Sequence, residues 1–392
     1  MLSLSLISKE NYNEIISRHG DEPDWISDMR KKAISQFNAM PSEMSPLYSK
    51  YTGLTLLEPE KIFFTSTESN TLSNDLKVRM EEVKSDPCLI MYGSSIIHIN
   101  IPEHLAKSGL IISSIQDAFK NHSEILKRHF ENNADNYGED RFLALGLSSF
   151  QSGFFIYIPK NLIIKEPIRI VYSLKDDNMS SICRNIVISD VGSKATIVQE
   201  LYSSSTESKS GNVQEIDACL EKNTSKNDNQ QCYFEVLECG VKPTAQLEFI
   251  TLQAMDLSTV NISSRKGFVE QDGKMSWYSG MFGTKLCRYK VDSVMKGQGA
   301  ISEDVEIIFG TEKQFFDVSS NLDHSGFSTR GRVMVKSVMK DESKSLFKGM
   351  IKIRKNAKAS ESYLTGHAIL LNKGAHSDAI PGLEIETNEV RA

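Results

Sequence analysis

The sequence has few cysteines and no long apolar run, and its charges of the two signs nearly balance. Six cysteines in 392 residues form no C-x-x-C pair and are too sparse for a disulfide framework, which predicts a reducing compartment. No apolar stretch approaches the roughly 18 residues that a membrane helix needs. The start has no basic region before its short apolar stretch, so we expect no signal peptide. These absences predict a cytoplasmic protein without a membrane segment.

The charge balance excludes other classes of protein. Fifty-one acidic and 45 basic residues give a formal net charge of −6. Without a dominant basic block, binding to nucleic acid or to an anionic membrane is disfavoured, and the expected partner is a protein. The sequence also contains no G-x-x-x-x-G-K-[ST] or G-x-G-x-x-G motif, so any ATP chemistry must belong to another subunit. The apolar content of 40% is that of a globular chain with a sizeable core.

The first 135 residues predict a helical or mixed α+β domain. Asp21 is the predicted N-cap of a helix with Pro23 in its first turn, ended by Pro41. The apolar stripe of this helix comprises Trp25, Met29, Ala33, Phe37 and Met40. A second helix is predicted over 113–130, and short strands over 88–92 and 95–99.

Residues 136–392 show a different pattern, in which short runs rich in Ile, Val, Phe and Tyr alternate with polar turns. Such runs are 154–158, 168–172, 186–189, 195–198, 247–252, 275–278, 305–309, 346–353 and 368–371. Many follow a polar turn and a small residue, at spacings of roughly 15 to 35 residues. This approximate repeat favours a β-helix and leaves a sandwich, a pair of sandwiches or a propeller open. The polar segment 203–231 is predicted to be a solvated excursion.

Several blocks of the sequence resemble the SufB/SufD family of iron–sulfur cluster assembly proteins. They are 22–25 (EPDW), 45–48 (SPLY), 141–161 (RFLALGLSSFQSGFFIYIPKN), 346–353 (LFKGMIKI) and 375–386 (AHSDAIPGLEIE). The blocks stand in family order over almost the whole chain. The resemblance implies a mainly β fold, a right-handed parallel β-helix preceded by a helical N-terminal domain.

Within this family, SufB receives sulfur and helps to build the cluster, while SufD is its partner and structural homologue. The scaffold has a cysteine in a late P-x-x-E-C pattern, where this sequence has Ile385, and an earlier one after a central strand, where it has Leu201. An aliphatic side chain can neither hold a persulfide nor ligate iron, because both need thiolate sulfur. The sequences of residues 378–385 and 389–391 also resemble SufD more than SufB. The resemblance therefore implies a SufD-like, non-catalytic subunit.

The resemblance also implies partners and an interface. Family members pair through the ends of their β-helices and bind the SufC ATPase, so we expect a SufB-type heterodimer or a homodimer. The expected interface residues are His367, His376, Pro381, Glu384 and Ile385. The sequence stops before the family's histidine-containing segment and C-terminal helical domain, which predicts an exposed last turn. No cofactor is expected on the isolated chain. A 4Fe–4S cluster would be assembled transiently in the complex, and whether a flavin binds in the complex is left open.

Two alternatives remain at this point: a SufB-like scaffold that itself assembles a cluster, and a β-helix polysaccharide lyase. Cys232 and Cys239 are separated by an odd number of positions, which places them on opposite faces of a continuous strand and argues against joint ligation of iron. Asp323, His324 and Ser325 are adjacent, so their side chains diverge and cannot form a catalytic relay. The lyase reading rests only on scattered carboxylates. We expect no enzymatic activity.

Overall fold

The computed structural model describes residues 22–40, 53–58, 61–62, 64, 72–133, 140–174, 179–203 and 230–391. The predicted N-cap Asp21, the block 45–48 and most of the excursion 203–231 lie outside these residues. The helices are α1 (Asp24–Ala39), α2 (Asn74–Val83), α3 (Glu103–Lys107), α4 (Ile115–Asn121), α5 (Ser123–Glu131) and α6 (Arg141–Ser149), with a 3₁₀ turn at Gly53–Leu56.

The strands are β1 (Cys88–Tyr92), β2 (Ser95–Asn100), β3 (Ile111–Ser114), β4 (Phe154–Ile158), β5 (Ile168–Leu174), β6 (Ser181–Ser189), β7 (Lys194–Ser203), β8 (Cys232–Val241), β9 (Gln246–Ala254), β10 (Val260–Val269), β11 (Lys274–Met281), β12 (Leu286–Met295), β13 (Ile301–Gly310), β14 (Phe315–His324), β15 (Arg330–Met339), β16 (Lys344–Ile353), β17 (Glu361–Leu370) and β18 (His376–Ile385).

The strands form two nine-stranded sheets. Sheet 1 has the order β17-β15-β13-β11-β9-β7-β5-β1-β2, and sheet 2 has the order β18-β16-β14-β12-β10-β8-β6-β4-β3. From β4 onward the chain alternates between the sheets, and each strand pairs in parallel with the strand two further along. This arrangement is a parallel β-solenoid of about seven turns. It confirms the predicted fold class and excludes the sandwich and the propeller.

Register between turns is continuous because the pairing repeats without a bulge from β8 to β18. Cys232, Val260, Leu286, Phe315 and Lys344 occupy the same position in successive turns of sheet 2. A parallel in-register stack places side chains of one parity in the space between the sheets. The main apolar core lies there, with large members at Tyr172, Phe249, Trp277, Phe316 and Phe347.

One corner of each turn is built from a residue with left-handed backbone. These residues are Asn161, Gly192, Thr244, Asp272, Gly299, Ser328 and Ala359, with φ between 53° and 69°. Each backbone N–H donates to a carbonyl in the next turn, as from Thr244 to Gln271 at 2.8 Å and from Ala359 to Glu389 at 2.7 Å. Stacked corners therefore extend the sheet hydrogen bonding around the bend, which satisfies backbone groups that a loop would leave to water.

Helices cover the outer face of sheet 2. Phe234, Val236 and Ile262 of this face pack with Phe142 and Leu145 of α6 in a second core. Arg30 of α1 donates to the carbonyl oxygens of Ser148 and Phe150 at 3.0 and 3.1 Å, which fixes α1 on the end of α6. Carbonyl groups at a helix C-terminus lack intrahelical donors, so a buried guanidinium is a suitable partner.

Among the described residues, a helix covers sheet 1 only at its N-terminal turns. Leu76 and Val83 of α2 pack on Val171 and Tyr202. Arg79 of α2 holds Glu200 of β7 by two hydrogen bonds, from Nε at 2.8 Å and from Nη2 at 2.5 Å. The bidentate geometry is the strong form of this ion pair.

Two local predictions need correction. The helix predicted over 113–130 is interrupted, because β3 ends at Ser114 and the backbone of His122 leaves the helical region at φ −130° between α4 and α5. Helix α1 begins at Asp24 with Pro23 at its N-cap and no side-chain cap. The strands 88–92 and 154–158 are confirmed with the predicted bounds. No helix among the described residues is long and apolar enough to cross a membrane.

Candidate functional site

The last turn of the solenoid, formed by β17 and β18, has an open edge. Each of the two strands pairs with an earlier strand on one side, and on the other side the described residues form a single bridge, between Glu361 of β17 and Arg391. Leu383 is 55% exposed, Ile385 43% and Leu370 49%. In the preceding turns the equivalent inward positions are buried, as at Ile351 and Ile353. The open edge therefore presents core-type side chains together with unpaired backbone groups, a combination that binds another strand or surface.

All five residues predicted for the interface lie on this turn and are exposed. His376, Pro381, Glu384 and Ile385 belong to β18, while His367 belongs to β17. The two histidines lie on the two strands of one turn, one in each sheet. Each lies on the outer face of its own sheet, in register with Lys336 and Lys344 respectively.

The composition of β18 suits an edge strand. Pro381 lies in register with Gly349 of β16 and has no N–H to donate, so it is tolerated at the open edge but would break a ladder in a central strand. Glu384 accepts a hydrogen bond from Nζ of Lys352 at 2.7 Å. Exposed ion pairs of this kind contribute little to stability but fix the charge pattern that a partner meets.

A column of polar side chains lies inside the solenoid, and the sequence pattern did not predict it. The carboxylate of Glu235 accepts from Nη2 of Arg265 at 2.7 Å, from Gln199 at 2.6 Å and from Asn185 at 2.8 Å. Arg265 also lies over the ring of Tyr289, 4.7 Å from its centroid. These groups come from five strands in four turns, so they tie successive turns across the core.

Two carboxyl groups continue the column on β13. Asp304 and Glu306 share the inward face and are 1% and 0% exposed. Ser320 donates to Asp304, while neither carboxylate oxygen of Glu306 has a hydrogen-bond partner. Burial raises the pKa of Asp304 to about 7, and burial together with Asp304 raises the pKa of Glu306 well above its usual value. At neutral pH this pair therefore keeps at least one proton.

A second charged network joins the helices to sheet 2. Nη2 of Arg184 lies 2.5 Å from Oε1 of Glu238, whose Oε2 lies 3.1 Å from Nε2 of His129 on α5. Asp140 caps α6 by accepting from the N–H groups of Phe142 and Leu143. Burial alone would raise the pKa of Asp140, but nearby cations and these two donors hold it well below its usual range.

Five cysteines lie within the described residues, and all are buried with free thiols. Burial raises the pKa of Cys183 and of Cys232 to about 12 and raises that of Cys239 and Cys287. Cys232 packs toward the helices and Cys239 toward the interior, which confirms their predicted separation. Buried neutral thiols are poor nucleophiles and poor ligands. Among described side chains, no group of three or more His, Cys, Asp or Glu could hold a metal ion.

The two positions at which the resemblance implied a missing thiol differ in setting. Leu201 is buried in the interior, and Ile385 lies at the open edge. His324 is also inward, with Nδ1 2.8 Å from Thr329 and Nε2 3.0 Å from Ser362. Burial lowers its pKa to about 4. Asp323 instead pairs with Arg354 on the outer surface and accepts from Oγ of Ser325 at 2.9 Å. The predicted divergence therefore holds for His324 and is wrong for Asp323 and Ser325, which contact each other.

Fold and edge together define a class: a two-sheet parallel β-solenoid with helices on its outer faces and exposed apolar side chains at the edge of its last turn. Comparison with known proteins names the family. The model of the SUF system FeS cluster assembly SufBD core domain matches residues 215–392, and that of the SufBD protein N-terminal region matches residues 10–170. The chain therefore belongs to the SufBD family of iron–sulfur cluster assembly proteins.

Similar proteins carry the same family description. An iron–sulfur cluster assembly SufBD family protein of Staphylococcus haemolyticus (strain JCSC1435) is 23% identical over 402 residues, covering 97% of this chain and 79% of the relative. Another from Staphylococcus aureus (strain MRSA252) is 24% identical over 400 residues with the same coverage. The similarity extends over both the helical part and the solenoid.

Proposed function

We propose that this chain is a SufD-like, non-catalytic subunit that pairs with a SufB-type scaffold through the open edge of β17 and β18. The observation that carries the proposal is the last turn, where inward-type side chains such as Leu383 are exposed and the outer edges of β17 and β18 are largely unpaired. A sister solenoid offers the same kind of edge, so the two can continue each other's sheets and bury these side chains. A homodimer through the same edge is the competing arrangement.

The burial of all five described cysteines supports the SufD-like role over a cluster-building one. Leu201 and Ile385 stand where the scaffold has cysteines, and the described cysteines are buried with raised pKa values. In this role the cluster is cargo of the complex and is not held by this chain. ATP hydrolysis would be supplied by a SufC-type subunit, and any flavin would bind in the complex. Free cysteines in the described part of the chain are compatible with a cytoplasmic location.

The partner proposal is tested by measuring heteromer formation with a SufB-type protein. We expect Ile385→Lys to weaken the heteromer at least about tenfold, because it places a charge in the centre of the contact. Ile163→Lys is the matched control, since Ile163 is 62% exposed and precedes β5 at the other end of the solenoid. A heteromer that tolerates Ile385→Lys, or no heteromer with the unmodified chain, would contradict the proposal.

The non-catalytic role is tested by anaerobic reconstitution of the isolated chain with iron and sulfide. We expect little stable cluster by visible absorbance, because both ligation and persulfide chemistry need accessible thiolate. The SufB-type partner reconstituted in parallel is the positive control. A stable cluster on the isolated chain would favour the alternative of a SufB-like scaffold.

A further inference from the structure

The outer face of sheet 1 carries a second exposed apolar surface, away from the open edge. Leu252 of β9 is 42% exposed, Phe282 46%, Ile307 50% and Phe309 40%. We call these four residues the sheet 1 patch. Isolated exposed apolar residues are common, whereas a contiguous group on a flat sheet face marks a binding surface.

The patch is contiguous because of a glycine. Leu252, Gly280 and Ile307 occupy the same position on three neighbouring strands. A Cβ atom at Gly280 would lie 2.7 Å from the ring of Phe282 and 3.4 Å from Leu252. The Phe282 ring therefore lies over Gly280 and closes the gap between Leu252 and Ile307.

Helix α2 shows what covers the same face at the earlier turns. It packs Leu76 and Val83 on this face, reaching Tyr202 of β7. Tyr202 is in register with Ala254 of β9, the strand that contributes Leu252 to the patch. The patch thus continues the surface on which α2 lies.

The apolar row also continues toward the open edge. Phe309 is in register with Val338, and Val338 with Ile369 of β17, which is 58% exposed. A partner bound at the open edge would therefore contact the row Ile369, Val338 and Phe309, which is continuous with the patch. Along one flank, Glu248 accepts from Thr196, and Glu303 accepts from Tyr278 and lies 3.7 Å from Nη1 of Arg332. This flank therefore carries two carboxylates and one cation.

We propose that an amphipathic helix of the sister subunit lies across the sheet 1 patch, as α2 lies across the preceding turns. Its apolar side covers Leu252, Phe282, Ile307 and Phe309, and a basic side chain at its edge pairs with Glu248 or Glu303, as Arg79 of α2 pairs with Glu200. This inference rests on the proposed function, since the helix belongs to the same partner that binds the open edge.

The proposal is tested by photo-crosslinking in the complex of the full chain with a SufB-type protein. A benzophenone amino acid replaces Phe309, and in a parallel sample it replaces Phe327, which is 47% exposed on the turn between β14 and β15. We expect a crosslink from position 309, and none from position 327, to a helix-forming segment of the partner. A crosslink confined to this chain would overturn the proposal, because the patch would then be covered internally.

Affinity provides the second measurement. The double variant Phe282→Ser with Ile307→Ser is expected to weaken the heteromer about tenfold, while Phe327→Ser leaves the affinity unchanged. Melting temperatures should stay close to that of the unmodified chain, since the replaced side chains are exposed. A heteromer that forms with unchanged affinity and gives no crosslink would overturn the patch proposal and leave the open-edge interface standing. Failure of any heteromer to form would overturn both.

Discussion

At the residue scale, the buried carboxyl pair of β13 shows how position decides charge. Asp304 and Glu306 have no neighbouring cation as close as the one that Arg265 provides to Glu235 at 2.7 Å. Both pKa values are raised in the folded state, so the contribution of the pair to stability is fully present below pH ~4, where both groups are protonated. This contribution is lost as the pH rises through about 7. Ionisation inside the core then opposes folding.

The resulting prediction concerns Glu306→Gln. The unmodified chain should lose free energy of unfolding as the pH rises from ~4 through about 7, and the variant should lose less of it, because the amide cannot ionise. Chemical denaturation at several pH values measures the difference. Glu303→Gln is the matched control, since Glu303 lies on the outer face of the same strand. Equal pH slopes for Glu306→Gln and the unmodified chain would contradict the prediction.

Sequence reasoning at this scale succeeded where a residue's own chemistry was enough. The separation of Cys232 from Cys239 and the divergence of Asp323 from His324 follow from strand geometry alone. The interior network was missed because its partners come from different turns: Glu235 and Arg265 meet only when β8 and β10 stack. Ser302, Asp304 and Glu306 alternate along β13 on the same face as the buried Ile308. This alternation was an available sequence signal that polar side chains lie in the core.

At the element scale, the stacked corners are the distinctive local structure. Non-glycine residues in the left-handed region cost about 1 to 2 kcal/mol each, yet Thr244, Ser328 and Ala359 adopt it. The hydrogen bond from each corner to the next turn offsets this cost. The polar turns at 190–194 and 272–274 contain the corner residues Gly192 and Asp272, but the backbone conformation of Ala359 has no sequence signature.

Replacing Ala359 by glycine should therefore stabilise the protein. Glycine relieves the strain at φ 57°, and after the entropy of the unfolded chain is counted the gain should be about 0.5 to 1 kcal/mol. Ala357→Gly makes the same chemical change two residues earlier, at a buried alanine without positive φ, and should cost about 1 kcal/mol. Thermal denaturation compares the two. Equal effects would show that the corner is unstrained.

Strand positions were predictable to a useful degree, because β-branched and aromatic runs bounded by turns mark them. The predicted run 346–353 lies wholly within β16, and 247–252 lies within β9. The helix predicted over 113–130 failed because Ser113 and Ser114 pair with β4. Pairing with a distant strand is a tertiary effect that the hydrophobic periodicity of a local segment cannot reveal.

At the scale of the whole molecule, the turns form a nearly one-dimensional stack, in which each turn is stabilised by its neighbours. Interior turns have a neighbour on both sides, while β17 and β18 have one each. The helices further stabilise sheet 2 from β4 to β12 through the second core. Stability should therefore decline toward the last turn.

Hydrogen exchange tests this gradient. Backbone amides of β17 and β18 should exchange at least about tenfold faster than those of β10 and β12, because their outer edges are largely unpaired and they open without unfolding the stack. Binding of a SufB-type partner should slow exchange in β17 and β18 and leave β10 and β12 unchanged. Uniform protection along the isolated chain would contradict this picture.

The left-handed corners have a consequence for how such a protein changes length over evolution. Since every corner donates a hydrogen bond to the next one, each added turn must supply its own left-handed residue, and the solenoid grows or shrinks in steps of about 4.8 Å when a complete turn is gained or lost. Shorter insertions lie within the bends, whose length, where the structure describes the whole bend, ranges from four residues between β6 and β7 to nine between β4 and β5. Distances between the two ends of related subunits should consequently fall on a discrete scale.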